Sequence, residues 1–398
     1  MNRDDFPILK EDIIYFDSGA TALKPQCVID EITKYYSLYS ANAHRGDYDI
    51  SYKVDEKIAE TRNLVKNFIN AKNVEEIIFT YGATDSLNMV ADGFFRLYLD
   101  EGDEILITKS EHASNVLPWF RLAKDIGCHI RYIDLDNDSY VTLENVKRAI
   151  TKNTKVIALA EITNVIGDKR PIREIAKLAH ENNAFLVVDG AQSVPHIPVD
   201  VTDLDVDFLA FSGHKMMGPT GIGVLYGKRE LLEKLVPTRL GGGMNESFDN
   251  EDEVYLKELP ERLEAGTINI AGIIGLGAAI KYLDNIKMEN IENRERFLRK
   301  YLIDELVKIP HIDILNLESD SGIVSFNVDG IFSQDVAYYL NKYNICVRAG
   351  NHCAKMLKDQ VKVTNSIRVS LYYYNTESEI DELVSLLKSK DKILKEML

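Results

Sequence analysis

The sequence predicts an α/β protein, in which helices cover both faces of a mostly parallel, seven-stranded sheet and a smaller α+β domain follows. Two observations support this prediction. Up to about residue 280, short apolar runs alternate with amphipathic helical patterns, as they do in βαβ units. Beyond that point the pattern changes to long charged helices and short strand pairs. The 398 residues, 45% of them hydrophobic and 28% charged, suit two or three domains better than one core.

The first elements along the chain are predicted helices. Pro25 suits the first turn of one helix, and Ser51 is the expected N-cap of the next, where apolar residues recur at turn spacing from Val54 to Phe68. Both helices are expected to pack on the large sheet. The strands predicted for that sheet are Ile77 to Thr80, Glu104 to Thr108, His129 to Ile133, Lys155 to Ala160, Ala184 to Asp189, Asp207 to Phe211 and Gly221 to Tyr226.

The charged pattern after Ile280 indicates the second domain. The segment through Ile14 has no evident place in the large sheet, so we expect it to pack on this second domain. The predicted division is a large domain of residues 15–280 and a small α+β domain of residues 1–14 and 281–398. The small domain's predicted elements are strands Ile312 to Leu315 and Gly322 to Asn327, a helix near Val336 to Lys342, and strands around Cys346 and Arg368.

Charge and hydropathy exclude several classes of function. A net charge of −16 and a pI near 5.1 argue against a nucleic-acid partner, because binding a phosphate backbone normally needs a basic surface. The longest strongly apolar stretch, Ala271 to Ile280, is too short to cross a bilayer. The start of the chain lacks a signal-peptide pattern. We therefore expect a cytoplasmic protein without a membrane role.

The four cysteines lack the CxxC spacing of a zinc site or the pattern of a disulfide framework. We expect free thiols and no bound metal. Cys27, Cys128 and Cys346 lie in or beside apolar or amphipathic segments, which predicts burial as small hydrophobic residues. Cys353, among the small and polar residues of Gly350 to Ala354, is the one thiol that looks placed to react.

Lys215 and Asp189 together indicate a pyridoxal phosphate site. Lys215 lies in the run Phe211-Ser212-Gly213-His214-Lys215, 26 residues after a strand that ends in Asp189. A lysine amine condenses with an aldehyde cofactor, and an aspartate beside the pyridine nitrogen keeps that nitrogen protonated. Each residue alone has an ordinary alternative, a solvated loop lysine or a turn aspartate. Gln192, three residues after Asp189, and the Gly-rich stretch after the lysine favour the cofactor.

Other candidates follow strand ends, where ligands collect in open α/β sheets. Thr84 begins a helix after a strand, so that helix N-terminus could hold a phosphate; a plain turn with a helix cap is the alternative. His112 could stack on the cofactor ring and move protons, although a lone histidine is usually structural. Asn164 could bond the cofactor's phenolic oxygen together with Gln192, or could simply cap a turn.

Competing glycine-rich interpretations fail on their spacing. Neither Gly221-x-Gly223 nor Gly275-x-Gly277 completes the dinucleotide pattern G-x-G-x-x-G. Gly227-Lys228 lacks both the upstream glycine and the following Ser or Thr of a P-loop.

The ordered motifs of the chain resemble those of the fold-type I, class V aminotransferase superfamily, and within it the SUF-type (group II) cysteine desulfurases and selenocysteine lyases. The resemblance covers nearly the whole chain. It is carried by Asp17-Ser18-Gly19-Ala20, Asn42-Ala43-His44-Arg45-Gly46, Glu111-His112, Thr163-Asn164-Val165, Val188-Asp189-Gly190-Ala191-Gln192, Ser212-Gly213-His214-Lys215, Gly218-Pro219-Thr220-Gly221, Glu264-Ala265-Gly266-Thr267, Gly350 to Ala354, and Arg368.

The resemblance implies a role for each matching residue. Lys215 would hold pyridoxal 5'-phosphate covalently, Asp189 would pair with the pyridinium nitrogen, and His112 would stack on the ring. Thr267 would reach the phosphate in the neighbouring subunit, which implies a homodimer with shared active sites. The remaining implied contacts are Gln192 and Asn164 near the phenolic oxygen, Thr84, Ser212 and His214 at the phosphate, and Arg368, with Asn164, at the substrate carboxylate.

The reaction implied is removal of sulfur from L-cysteine, which leaves L-alanine and a persulfide on Cys353. His352 could assist deprotonation of that thiol. The sulfur would pass to an acceptor protein of iron–sulfur cluster assembly or a related thiolation system. Open alternatives are a selenocysteine lyase, an aminotransferase or C–S lyase that forms no persulfide, and a catalytically silent binding platform.

The chain departs from the family pattern at two positions. Group II members commonly carry Gly-His-His-Cys, whereas this chain has Asn351 in place of the first histidine, and Ala113 replaces a second histidine after His112. Neither position has an implied catalytic role. The change at Asn351 bears on how the persulfide is protected or handed to an acceptor.

Overall fold

The structure, a computed structural model, describes residues 3–43, 46–249 and 253–397. The strands are β1 Ile14–Tyr15, β2 Ile77–Thr80, β3 Glu104–Ile107, β4 His129–Tyr132, β5 Thr154–Ala160, β6 Phe185–Asp189, β7 Phe208–Ser212, β8 Gly223–Gly227, β9 Asn245–Phe248, β10 Val254–Leu256, β11 Ile312–Ile314, β12 Ile323–Val328, β13 Ile345–Cys346, β14 Arg348–Gly350 and β15 Ser366–Ser370. The α-helices are α1 Gln26–Leu38, α2 Asp49–Phe68, α3 Ala83–Val90, α4 Arg96–Tyr98, α5 Leu117–Ile126, α6 Leu143–Ala149, α7 Ile172–Glu181, α8 Val201–Leu204, α9 Arg229–Leu232, α10 Ile270–Ile286, α11 Met288–Leu306, α12 Ser333–Asn341, α13 Lys358–Val361, α14 Glu377–Leu387 and α15 Lys390–Met397.

Seven strands form the central sheet in the order β2-β8-β7-β6-β5-β3-β4. All neighbours pair in parallel except at β8, which runs antiparallel to both β2 and β7. Each of these strands overlaps one predicted from the sequence, with ends that differ by at most two residues. The predicted α/β fold with a mostly parallel, seven-stranded sheet is therefore confirmed.

The two faces of this sheet bury separate cores, because successive side chains of a strand point to opposite sides. Along β5, Val156 and Ala158 join a core with α3 and α5, whereas Ile157 and Leu159 join the core with α1, α2, α7 and α10. Helix α7 buries Ile172, Ile175, Ala176 and Ala179, which share one helix face. Each fully buried isoleucine stabilises the fold by about 1.5–3 kcal/mol. The continuous apolar strand runs thus reflect burial on both faces.

The C-terminal part forms its own antiparallel sheet in the order β11-β12-β15-β14, with a separate hydrophobic core against α11, α12 and α14. The N-terminal segment contacts this region through the pairing of Ile14 with Ile345 and through the ion pair of Arg3 with Glu379. Phe6, however, packs in the core of the large sheet. The segment therefore touches both parts of the molecule.

Three local expectations were wrong. Ser51 lies inside the first turn of α2 rather than at its N-cap, and its hydroxyl donates to Asn42 O instead. Pro25 precedes the first helical residue of α1. Cys27 is exposed on α1 and Cys346 is half-buried, so of the three thiols expected inside the protein only Cys128 is buried. An amphipathic pattern does not settle the exposure of residues at the edge of its apolar face.

Across the described ranges, no helix is both long and apolar enough to cross a membrane. In the same part of the chain, no group of three or more His, Cys, Asp or Glu side chains is arranged to hold a metal ion.

Candidate active site

A cavity of about 180 Å³ lies at the carboxyl ends of the parallel strands, where the second sheet meets the first. The segments after β2, β3, β5, β6 and β7, together with the last residues of β5, β6 and β7, supply most of its wall. The segment after β1, strands β14 and β15, and the loop after β14 supply the rest. Nine predicted site residues line it: Thr84, His112, Asn164, Asp189, Gln192, Ser212, His214, Lys215 and Arg368. Cys353 and Thr267 do not line this cavity, and both are exposed.

Lys215 follows β7 in a short turn, and Asp189 is the last residue of the neighbouring β6. Lys215 borders the cavity, yet protein encloses its amine closely enough that burial lowers its pKa to about 8, against the opposing effect of Asp189. Burial also raises the pKa of the Asp189 carboxyl, although Lys215 favours its ionised form. Asp189 Oδ1 accepts from Ala191 N at 2.9 Å, which fixes the carboxylate at the strand end.

The N-terminus of α3 provides a corner suited to an anion. The first-turn N–H groups of a helix have no carbonyl partner within it, and the helix dipole favours negative charge there. Ser212 Oγ accepts from Ala83 N at 2.8 Å, and the hydroxyls of Thr84 and Ser114 lie 2.7 Å apart. A Cβ on Gly223 would lie 2.4 Å from Gly82 Cα, so only glycine allows β8 to pass this close to the corner.

His112 follows β3 and is held in one tautomer. Its Nδ1 accepts from Ser114 N at 3.1 Å, so in the neutral ring the proton lies on Nε2. Burial, together with Lys215, Arg348 and Arg368, lowers the His112 pKa to about 4. The ring is therefore uncharged at neutral pH. This geometry suits a neutral hydrogen-bond donor at the cavity wall.

Two buried amides in the cavity wall have unsatisfied oxygens. Asn164 Nδ2 donates to His352 O at 2.7 Å, and Gln192 Nε2 donates to Gly19 O at 2.8 Å. Because both partners are carbonyl acceptors, the orientation of each amide is set. Asn164 Oδ1 and Gln192 Oε1 have no hydrogen-bond partner, and a buried polar atom left unpaired is costly. A bound polar molecule that presents donors would satisfy them.

Two arginines enter the cavity from the second sheet. Arg368 is buried, its Nη2 bonds Asp17 Oδ1 at 2.8 Å, its Nη1 bonds Asn164 O at 3.0 Å, and its Nε has no partner. Burial lowers its pKa, which Asp17 opposes. Arg348 lies opposite Arg368 in the β14–β15 pairing and also lines the cavity. A buried guanidinium with an unsatisfied donor suits a carboxylate ligand.

The loop after β14 carries Cys353, whose main-chain carbonyl accepts from Ala113 N at 2.8 Å. Cys353 is exposed, unlike the buried Cys128, so its thiol is accessible to a reactant. His352 is buried, its Nε2 lies 3.1 Å from Ser366 O, and burial lowers its pKa to about 3. So weak a base would add little to the thiolate fraction of Cys353 at neutral pH, contrary to the role expected for His352.

Sequence reasoning missed several residues of the cavity wall. Arg348 is the most consequential, since it adds a second guanidinium beside Arg368. A signal was present, because Arg348 is the charged residue of an otherwise apolar run just before the thiol loop. Gly19, Ala20, Ala160, Ile162 and Ser114 also line the cavity. The motif residues His44 and Arg45 lie outside the described residues.

The residues present fit pyridoxal phosphate. The cavity combines a lysine, a buried aspartate at a neighbouring strand end, a helix N-terminus suited to phosphate, and unsatisfied amide oxygens. Burial and the nearby Lys215 and Lys24 lower the pKa of His214 to about 4, so this phosphate-corner residue would serve as a neutral donor. Each feature is a contact or charge of this chain, independent of any relative.

Comparison with known proteins agrees with a pyridoxal phosphate site. Residues 14–383 match the family described as aminotransferase class-V. The chain is 43% identical over 392 residues to a probable cysteine desulfurase of Halalkalibacterium halodurans, covering 97% of this chain and 96% of that protein. The solved structure of a cysteine desulfurase from Thermococcus onnurineus NA1 is 38% identical with a TM-score of 0.94, covering 99% and 97% of the two chains. That of the cysteine desulfurase CsdA from Escherichia coli is 36% identical with a TM-score of 0.93, covering 100% and 98%.

Proposed function

Because the chain belongs to the class-V aminotransferase family and is a pyridoxal-phosphate-dependent cysteine desulfurase, we propose that it transfers the sulfur of L-cysteine to Cys353 as a persulfide. The observation that carries this proposal is the exposed thiol on a loop hydrogen-bonded to the loop of His112 and to Asn164, both of which line the cavity.

The cofactor would be held by residues of the cavity wall. Lys215 would carry it covalently, Asp189 would pair with its ring nitrogen, and Gln192 would face its phenolic oxygen. Thr84, Ser212, His214 and the N-terminus of α3 would bind its phosphate. When bound, pyridoxal phosphate supplies a protonated ring that stabilises negative charge at the substrate Cα.

The chain's own residues would divide the remaining work. Arg368 binds the substrate carboxylate through its free donors, while Asp17 holds the guanidinium in place. Lys215, whose pKa of about 8 leaves much of the free amine neutral near that pH, takes the Cα proton. His112, neutral with its proton on Nε2, can donate a hydrogen bond to a ligand in the cavity.

The sulfur step then balances as a transfer between two thiols. Cys353 Sγ, as the thiolate, bonds to the substrate sulfur while the substrate's C–S bond breaks. The electron pair of that bond stays on carbon, which is protonated to become the methyl group of L-alanine. Overall, L-cysteine and the Cys353 thiol give L-alanine and a Cys353 persulfide.

A second copy of the chain would complete each site. Thr267 is exposed and does not line the cavity of its own subunit, which suits a residue that serves the partner's phosphate. Large apolar side chains are exposed on the β9–β10 hairpin and the segment before it, as expected of a surface covered in a dimer. They are Leu240, Phe248, Val254 and Tyr255. A SUF-type sulfur acceptor and a cytoplasmic location stay predictions.

The test is turnover of L-cysteine with a reductant that releases the persulfide sulfur. The native protein should form alanine and sulfide in equal amounts, and mass spectrometry should find the extra sulfur on Cys353. Cys353→Ala should lose most alanine formation but keep the visible absorbance of the lysine-bound cofactor, whereas Lys215→Ala should lose both.

Wild-type alanine formation by Cys353→Ala would refute the persulfide relay. Activity of that variant with L-selenocysteine alone would favour a selenocysteine lyase. Cys27→Ala is the matched control, because Cys27 is also exposed but lies on α1 and is not in the cavity wall. It should turn over as the native protein does.

A further inference from the structure

The loop that carries Cys353 has an unusual backbone. Gly350, His352 and Cys353 have φ values of +128°, +50° and +59°. The left-handed region is unfavourable for residues with a Cβ, so two consecutive non-glycine residues persist there only if surrounding contacts hold them. The contacts that hold His352 and Cys353 therefore decide where the thiol lies.

The main-chain carbonyls of His352 and Cys353 each accept a hydrogen bond from a loop that follows a strand of the large sheet. Asn164 Nδ2, after β5, donates to His352 O at 2.7 Å. Ala113 N, after β3, donates to Cys353 O at 2.8 Å. Within the loop itself, Cys353 N donates to Asn351 Oδ1 at 3.2 Å. These two main-chain contacts join the loop to the large sheet, and Asn351 shapes its turn. On the other side, His352 Nε2 lies 3.1 Å from Ser366 O on β15.

Asn164 also touches the substrate side of the cavity. Its main-chain carbonyl accepts from Arg368 Nη1 at 3.0 Å, and its Oδ1 is the buried oxygen without a partner. The side chain is largely enclosed, with the residue 6% exposed. One residue in the turn after β5 thereby contacts both the thiol loop and the arginine assigned to the substrate carboxylate, so both are held through the same turn.

We propose that Asn164 is a positioning residue for the sulfur transfer: its amide anchors the loop of Cys353, while its main-chain carbonyl orients Arg368, so thiol and substrate are aligned by one residue. This inference rests on the proposed function of Cys353. It assigns the Asn164 amide nitrogen to the thiol loop and leaves only Oδ1 for a ligand. The sequence motif alone assigned this side chain to the cofactor and substrate.

The test is hydrogen exchange of the loop amides in the cofactor-loaded protein without L-cysteine, followed in peptides spanning residues 349–357. Asn164→Ala and Asn164→Asp both remove the donor, and the loop should exchange about fivefold faster or more, as expected when an anchoring hydrogen bond is lost. Gln192→Ala is the matched control, because it removes the other unsatisfied amide of the cavity without touching the loop. Its loop should exchange at the native rate.

Ala113→Pro tests the second anchor without altering any side chain of the cavity. Proline removes the N–H and adds a ring that fixes φ near −65°. It is tolerated at the first position of a helical turn after an extended residue such as His112, with ψ of 147°. This variant should show the same faster loop exchange. It should also lower kcat for alanine formation with little change in KM, since Arg368 keeps its contacts.

Native exchange in the Asn164 variants would overturn the inference. Equal acceleration in Gln192→Ala would also overturn it, because loosening would then follow from disturbance of the cavity as a whole. Exchange is read without substrate, so a failure of the persulfide proposal would appear separately, as full activity of Cys353→Ala.

Discussion

At the scale of single residues, burial sets the protonation states of the site. It is the largest influence on the pKa values of Lys215, His112, His214 and Asp189. Desolvation disfavours the charged form, so the amine and the imidazoles become weaker bases and the carboxyl a weaker acid. His112 and His214 are therefore neutral at neutral pH, and the charge of the site lies mainly on the arginines, Lys215 and Asp189.

The first residue-scale prediction concerns Arg368. Arg368→Lys keeps a positive charge but cannot bond Asp17, Asn164 and a carboxylate with the same planar geometry. We expect kcat/KM for L-cysteine to fall about 10- to 100-fold, since a hydrogen bond to a charged group contributes about 1.5–3 kcal/mol. Steady-state kinetics measure this. Arg296→Lys, an exposed arginine on α11, is the control. An unchanged KM together with a lower kcat would contradict carboxylate binding.

The second prediction concerns how the activity lost on substituting His112 depends on pH. Because its pKa is lowered to about 4, the imidazole stays neutral above that value and does not titrate between about pH 5 and 8. His112→Gln should therefore lower kcat/KM by a factor that is constant across this range. Parallel pH profiles of the two proteins measure it. If the difference between the two proteins disappeared near pH 5, the ring would be protonated there, and its pKa would not be lowered as expected.

At the scale of elements, a buried ion cluster connects the loops that carry site residues. Arg170, after β5, pairs with Glu111 and with Asp168, the latter at 3.1 Å. Glu111 Oε2 also accepts from Ala160 N at 2.8 Å, and the residue directly precedes His112. The Arg170 side chain is fully buried, and its positive charge is compensated by the carboxylates of Glu111 and Asp168. The cluster thus fixes the end of β5 against the loop after β3.

Arg170→Met should strongly destabilise the fold. It leaves the buried Glu111 and Asp168 without their cation, which typically costs about 3–5 kcal/mol. Urea denaturation of the cofactor-loaded protein measures the free energy of unfolding. Lys177→Met is the control, since Lys177 on α7 is exposed and lies 4.0 Å from Glu181, and it should change little. Equal stability of both variants would show that the cluster contributes nothing net.

At the scale of the whole molecule, the site forms where two sheets meet. The large sheet supplies Lys215, Asp189 and Asn164, and the C-terminal sheet supplies Arg348 and Arg368. Two further hydrogen bonds join the C-terminal part of the chain to the loop that carries Asn164. Ser325 Oγ donates to Val165 O at 2.7 Å, and Asn316 Nδ2 donates to Ile166 O at 2.8 Å. The relative placement of the sheets therefore determines the distance from Lys215 and Asp189 to Arg368.

The proposed dimer predicts complementation between two inactive variants. Lys215→Ala removes the lysine of its own site, and Thr267→Glu would place a negative charge against the phosphate of the partner's site. Coexpressed, they should regain about a quarter of native activity, because half of randomly mixed dimers are hybrids with one intact site of two. Activity assays of the mixture measure this, with each variant alone as control. No recovery despite hybrid dimers, verified by mass spectrometry, would refute a shared site.

The amino-acid sequence by itself determined the strand runs of the large sheet, with Asp189 at the end of one strand and Lys215 just after another. It also identified Cys353 as the candidate for a reactive thiol. These signals are local, since apolar periodicity and turn residues act over a few positions. Only the tertiary structure decided that Arg348 lines the cavity, that Cys27 is exposed, and that the Asn164 amide serves the thiol loop. That last contact joins residues 188 positions apart, and such a contact depends on how two different sheets pack together, which no short sequence pattern encodes.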